Sequence, residues 1–194
     1  DPKDTNTIYA GTLQSVYKSI DGGISWKYSS NGLTYYGLGI EIRSIAIVPS
    51  NTQILYAGTG VGLFKSLDGG NSWKKIGGGA TAIAIDPTNT QVIYTGAGDD
   101  PMGTHGLYKS KDGGITWEEI GKGLGAYFSS IAIDPTNPLT LYAGSGDYLW
   151  YKTGSIFKTT DGGATWNKIS KDLGDIVVNT ITIDQTNPQI IYVG

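Results

Sequence analysis

The chain has 194 residues and a formal charge of −3, and Arg43 is its one arginine, so it lacks the basic stripe that phosphate tracking on nucleic acid requires. No apolar run is long enough to span a bilayer. With no cysteine, disulfides and thiolate metal sites are excluded while the compartment stays open.

In chain order, the first segment, "DPKDTNTIYAG" from Asp1, has a β-branched and aromatic strand after a turn. It is followed by "SIDGGISW" from Ser19 to Trp26. Both return. The first recurs as "VPSNTQILYAG" from Val48, "DPTNTQVIYTG" from Asp86, "DPTNPLTLYAG" from Asp134 and "DQTNPQIIYVG" from Asp184. The second recurs as "SLDGGNSW" from Ser66, "SKDGGITW" from Ser110 and "TTDGGATW" from Thr159, with its aspartates (Asp21, Asp68, Asp112, Asp161) 47, 44 and 49 residues apart. A period of about 45 residues carrying four short strands is that of a propeller blade.

Within one unit, "TAIAID" from Thr81 predicts a first strand ending at Asp86-Pro87, and "QVIYTG" from Gln91 a second. "GLYKS" from Gly106 and "ITWEEI" from Ile115 predict a third and fourth, joined by the hairpin signal "KDGG". The fold class is therefore all-β, a β-propeller of four-stranded antiparallel blades. The expected repeats are 1–43, 44–80, 81–128 and 129–177 with a partial repeat 178–194, all in one domain or segment. Counting strand types gives four, five, four and four, a total of 17 where a closed four-bladed ring needs 16. Terminal blades also have flat apolar faces to hide. A segment of a longer, seven-bladed ring is expected, with self-association or the remaining blades of a longer chain covering those faces.

The recurrence has a physical reading that needs no chemistry. Glycines permit positive φ in the hairpin, the Asp carboxylate accepts backbone N–H groups as Asx turns do, and the Ser/Thr hydroxyls add further bonds. Five residues on, Trp26, Trp73, Trp117 and Trp166 begin the fourth strand and are expected to cover the turn's flank. Of 17 acidic residues, these four aspartates and the turn residues Asp1, Asp86, Asp134 and Asp184 are thereby assigned to structure, which leaves nine for other roles.

The pattern Ser/Thr-x-Asp-x-Gly-x-Ser/Thr-Trp resembles the Asp box, or bacterial neuraminidase repeat. It occurs in sialidases, xyloglucanase-type glycoside hydrolases, the sortilin ectodomain family and photosystem II assembly factors. The coupled "DPTNP…YAG…GLYKS-x-DGG-x-TW" frame is most similar to the xyloglucanase and assembly-factor propellers. Sialidases bind the substrate carboxylate with several arginines, and only Arg43 is available here; sortilin-like ectodomains carry disulfides, and this chain has no cysteine. These families share the box and differ in activity, so the box speaks for the fold.

Candidate functional residues lie in the segments that differ between units: "NGLTYYGLGIEIR" from Asn31, "GDDPMGTHG" from Gly98, "GLGAYF" from Gly123 and "GDYLWYKTG" from Gly146. These connect strands at the blade end away from the boxes, the side on which insertions in repeat folds mark binding. Trp150, Tyr148, Tyr151, Tyr35, Tyr36, Tyr127 and Phe128 are candidates for stacking on sugar rings or anchoring a protein, and Trp150 alone among five tryptophans lies outside a box. Glu41 and His105 join them as polar ligand-binding candidates. Asp99, Asp100 and Asp147 are the candidate acid and base if the resemblance extends to an endo-acting hydrolase, which uses two carboxylates.

His105 reads as a solvated loop residue, because no metal-ligand spacing surrounds it, and no metal is expected. "GTGVG" and "GAG" precede strands, without the helix that a phosphate cradle needs, so no cofactor is expected. The expected function is a binding module or scaffold for a polysaccharide or protein, extracellular or periplasmic; the alternative is a xyloglucanase-like glycoside hydrolase.

Overall fold

The structure, a computed structural model, describes residues 1–98, 105–124, 127–146, 154–174 and 176–194. Among the described residues there are 17 strands and no helix, grouped in two compact units, Asp1–Ala80 and Thr81–Gly194. Among the described residues no helix is long and apolar enough to cross a membrane.

The first unit holds an antiparallel sheet of β1 (Ile8–Gly11), β2 (Val16–Ser19) and β3 (Lys27–Tyr28), in that order. It also holds a four-stranded sheet of β4 (Ile42–Ile47), β5 (Leu55–Thr59), β6 (Gly62–Ser66) and β7 (Lys74–Gly77). The second unit contains two four-stranded meanders. One comprises β8 (Ala82–Ile85), β9 (Ile93–Ala97), β10 (Gly106–Ser110) and β11 (Glu118–Glu119). The other comprises β12 (Phe128–Ile133), β13 (Leu141–Ser145), β14 (Ile156–Thr159) and β15 (Asn167–Lys168). A final pair, β16 (Ile181–Ile183) and β17 (Ile191–Val193), runs antiparallel.

Strand length follows from where the backbone groups are committed. "ITWEEI" predicts a fourth strand over 115–120, yet β11 is only Glu118–Glu119. The Ile115 and Thr116 amides donate to the Asp112 carboxylate at 3.0 and 2.9 Å, which takes them out of the ladder. Ile115 is consequently 80% exposed.

The second strand of each blade is buried throughout in β5, β9 and β13. Each has a glycine as its penultimate residue, Gly58, Gly96 or Gly144, where a side chain would meet neighbouring atoms. A Cβ at Gly96 would stand 2.7 Å from the Phe128 carbonyl oxygen, and one at Gly11 would stand 2.6 Å from the Ile42 side chain.

A repeated seam joins consecutive sheets within each unit. In the first, the Tyr9 hydroxyl and the Lys18 ammonium both donate to the Gly69 carbonyl, at 2.9 and 3.0 Å. From the other side the Trp73 indole N–H returns a bond of 2.8 Å to the Ser29 carbonyl. The second unit repeats this. Lys109 donates to Gly162 at 2.8 Å with the Tyr94 hydroxyl at 3.5 Å from the same oxygen, and Trp166 donates to Ile120 at 3.0 Å. Each lysine is aimed by its cross-strand tyrosine: Tyr9 faces Lys18 and Tyr94 faces Lys109 in register, and the ammonium groups stand 5.3 and 5.0 Å from the ring centroids.

The tryptophans thus do more than cover their own turns. Trp26 does stay on its own hairpin, bonding to the Gly23 carbonyl at 3.0 Å, and is 42% exposed. Trp73 is 6% exposed and lies in the core cluster with Val16, Leu33, Leu55 and Phe64. Trp73→Ala is therefore expected to cost about 3–5 kcal/mol in urea unfolding, and Trp26→Ala about 1 kcal/mol or less in the dilute protein. Equal effects of the two would contradict this assignment. Gly96→Ala should cost about 1–3 kcal/mol, because backbone opposes the new methyl.

Candidate functional site

Each Asp box is a closed hydrogen-bond circuit. The Asp21 carboxylate receives the Ser19 hydroxyl (2.7 Å), the Ser25 amide (2.9 Å) and the Ser25 hydroxyl (2.5 Å), while the Gly23 amide donates to the Ser19 hydroxyl at 2.9 Å. Asp68, Asp112 and Asp161 repeat the set with Ser66 and Ser72, Ser110 and Thr116, and Thr159 and Thr165. Gly22 and Gly23 sit at φ of 72° and 92°, and the other three glycine pairs match them. The Asp-Pro turns use the same chemistry: Asp86 and Asp134 each accept the amide and hydroxyl of the threonine two residues on and the amide of the following asparagine.

These bonds favour the ionised carboxylates. The Ser25 hydroxyl, then the Ser25 amide and the Ser19 hydroxyl, draw Asp21 down from 3.8 to about 2. The Thr116 hydroxyl and amide hold Asp112 well below the usual carboxylate range, and Thr159 with Thr165 does the same for Asp161. Asp68 is lowered through Ser72. At the seam, burial pushes the Tyr94 phenol up to about 12, with a smaller push from Asp86. Burial and then the like charge of Lys111 lower the Lys109 ammonium. A carboxylate held ionised by three or four local donors is fitted to pin a turn and ill suited to deliver a proton.

The box-distal loops are a different environment. Tyr35 and Leu38 exchange two 3.0 Å backbone bonds around Tyr36 and Gly37, whose φ values are 51° and 79°. This is a two-residue turn of the type with both central residues left-handed, a conformation that a bulky residue adopts at a cost. Tyr36, at its tip, is 89% exposed with its ring 4.4 Å from that of Tyr35. Glu41 is tied to Arg43 by a 3.1 Å salt bridge.

The remaining candidates are placed apart. Tyr127 is half-buried with its ring against Gly98. Phe128 is fully buried, 6.0 Å from the Phe157 ring, and so is a core residue and not a stacking platform. His105 is exposed, its carbonyl accepting the Tyr108 hydroxyl at 3.2 Å. Among the described residues no cluster of three or more His, Asp or Glu is arranged to hold a metal. Asp99, Asp100, Asp147, Tyr148, Trp150 and Tyr151 lie outside the described residues.

Sequence reasoning missed the seam pair. The alternation Tyr-x-Gly in one strand and Lys-Ser or Lys-Thr in the next places Tyr56 opposite Lys65 and Tyr142 opposite Lys158 as well. The recurring Lys before each box was the available signal.

Among protein families, residues 108–119 match the BNR/Asp-box repeat. None of the curated proteins matches the chain significantly. Solved structures do. An ancestral GH74 enzyme superposes on all of this chain at a TM-score of 0.80 and 25% identity, the chain spanning 26% of that enzyme. The GH74 xyloglucanase from Xanthomonas campestris also aligns over the whole chain, at 0.76 and 18% identity, with 34% of its own length covered. YCF48 bound to D1 peptide aligns with 95% of the chain at 0.65 and 15% identity, over 56% of its length. The chain thus spans between about a quarter and just over half of these proteins.

Because the box carboxylates are stabilised as anions, their bonds support the fold fully above pH ~4, where the unfolded groups are also ionised, and are lost as pH falls through the folded values toward about 2. Chemical-denaturation midpoints should be flat from pH 6 to 4 and drop between about 4 and 2. An Asp21→Asn variant should show a shallower drop; an identical acid limb would remove the box from this role.

Antiparallel four-stranded sheets, the four Asp-box motifs and these superpositions together show an all-β fold of β-propeller blades, similar in structure to GH74 and YCF48 propellers, with residues 108–119 matching the BNR/Asp-box repeat.

Proposed function

We propose that this chain is a binding module or scaffold of extracellular or periplasmic type, taking a polysaccharide or a protein on the aromatic loops at the box-distal ends of its sheets. The observation that supports this is Tyr36, an aromatic ring held 89% exposed at the tip of a turn whose φ of 51° disfavours a side chain of that size. Burial does not explain that ring, whereas an amphipathic surface that stacks on a sugar face or a peptide does. Glu41, beside the Tyr36 turn, is engaged with Arg43. The D1 peptide bound by YCF48 is a precedent for a protein ligand on this fold.

A second reading is endo-acting hydrolysis by Asp99, Asp100 or Asp147, favoured by the full-chain superposition on a GH74 enzyme at 25% identity. Two carboxylates, one protonated and one ionised, would flank the scissile bond.

Soluble β-glucan separates the readings. Binding without new reducing ends, weakened at least tenfold (about 1.4 kcal/mol) by Tyr36→Ala or Trp150→Ala and unchanged by Ile24→Ala in a box turn, supports the module. Reducing-end release abolished by Asp99→Asn or Asp147→Asn would overturn it in favour of the hydrolase.

A further inference from the structure

Between the two sheets of the first unit, at their box ends, lies an open groove of about 250 Å³. One wall is β2 and β3 with the first box turn, and Asn71 of the second box faces it. Lys18 and Lys27 stand opposite each other in register, so their side chains leave the sheet on one face. That face is turned to the second box, because the Lys18 ammonium donates to the Gly69 carbonyl at 3.0 Å. Like charges directly opposite one another repel, and an anion between them removes that cost. Among the described residues no group supplies it. The Lys27 ammonium makes no ion pair or hydrogen bond with them, and the box carboxylates Asp21 and Asp68 are given to Ser19 and Ser25 and to Ser66 and Ser72.

The hydroxyls of the groove are acceptors. Ser25 spends its hydrogen on the Asp21 carboxylate at 2.5 Å and Ser29 on the Gly70 carbonyl at 2.6 Å, so each oxygen can only accept from a ligand. Asn71 donates one amide hydrogen to the Asp68 carbonyl at 2.6 Å and keeps a second hydrogen and its own oxygen. Ile20 and Tyr28, 62% and 63% exposed, add apolar surface to the lining.

The second unit repeats these positions with other contents. Glu118 stands opposite Lys109, where Lys27 stands opposite Lys18, and it pairs with Lys111 at 3.4 Å. Glu119, Ile120 and Ala164 take the places of Tyr28, Ser29 and Asn71. There the cations are matched within the protein, and the seryl and amide groups are replaced by hydrocarbon. The hairpins recur in both units; the chemistry that lines them does not.

We propose that the groove of the first unit binds one acidic sugar unit, a pyranose bearing a carboxylate or a sulfate. The anion lies between Lys18 and Lys27, the sugar hydroxyls donate to the Ser25 and Ser29 oxygens, and Ile20 and Tyr28 take the C–H surface. A bare inorganic anion would satisfy the lysines and leave those acceptors unmatched. A neutral sugar would satisfy the acceptors and leave two like charges face to face. The volume lies just below that of sites for drug-sized ligands, which suits a single unit. This site is at the box end of the sheets, opposite the aromatic loops.

The test is a proton–nitrogen NMR titration of the whole chain at fixed ionic strength, with glucuronate, a glucose sulfate monoester, glucose and inorganic sulfate as probes. Glucuronate or the sulfate monoester should shift the Lys27, Ser29 and Asn71 amides saturably below about 50 mM, with glucose and inorganic sulfate each weaker by roughly tenfold or more. The tighter of the two acidic sugars identifies the anion. Lys27→Glu and Asn71→Ala install what the second unit carries at these positions, so circular dichroism should be unchanged. Lys27→Glu should abolish the shifts, Asn71→Ala should weaken binding, and Glu118→Gln in the second unit should leave it as in wild type. The proposal is overturned by the absence of saturable shifts with both acidic sugars, by glucose binding as tightly, or by Lys27→Glu binding like wild type. Inorganic sulfate binding as tightly as the acidic sugars would also overturn it, marking an adventitious ion only.

Discussion

A carboxylate tied to its own hairpin is the constraint on which the rest of this structure depends. The bonds from Ser25, Ser72, Thr116 and Thr165 to the four box aspartates fix the bend between third and fourth strands. That bend sets where the first box glycine presents its carbonyl and where the indole projects. Both groups then serve the neighbouring sheet: the carbonyl receives a lysine and a tyrosine, and the indole donates back. Local turn chemistry is thereby converted into the contact between sheets. A charged donor to a neutral carbonyl, shielded by a tyrosine ring, is a stronger tie than a neutral pair at the same distance.

The seam also explains why the chain holds certain residues in register while the intervening ones drift. The glycine near the end of each second strand is required by close neighbouring atoms, as at Gly96 against Phe128. The tyrosine and lysine on adjacent strands are required by the box carbonyl. Residues between these points face solvent or adjust to local packing, so their identity is less constrained. The box-distal loops, where the repeats diverge, are outside this seam and are the surface proposed to bind.

The sheets were legible in the sequence because turn signals punctuate the strands: "DPTN" precedes β9 and "KDGG" follows β10. The 17 strands of the described residues fall into the four, five, four and four expected by type. The fourth strands were not legible in length, since the box claims the amides of Ile115 and Thr116 for Asp112. Nor was the destination of the indoles, because periodicity within a blade carries no information about which carbonyl of a neighbouring blade lies opposite. Phe128 looked like a loop aromatic in "GLGAYF" but begins β12, where its side chain is buried against Phe157. Tyr36 was legible as an aromatic in a variable segment; its left-handed backbone was not, since tyrosine gives no hint of positive φ.

The central claim is that the box aspartates are structural ties holding exposed amides in place. Native-state hydrogen exchange at Ser25, Ser72, Thr116 and Thr165 tests it most directly, because these residues are exposed and their amides donate only to box carboxylates. The account predicts protection well above that of an unstructured amide at neutral pH, lost locally when the facing aspartate is changed to alanine. Exchange at unprotected rates in the folded wild-type protein would contradict it.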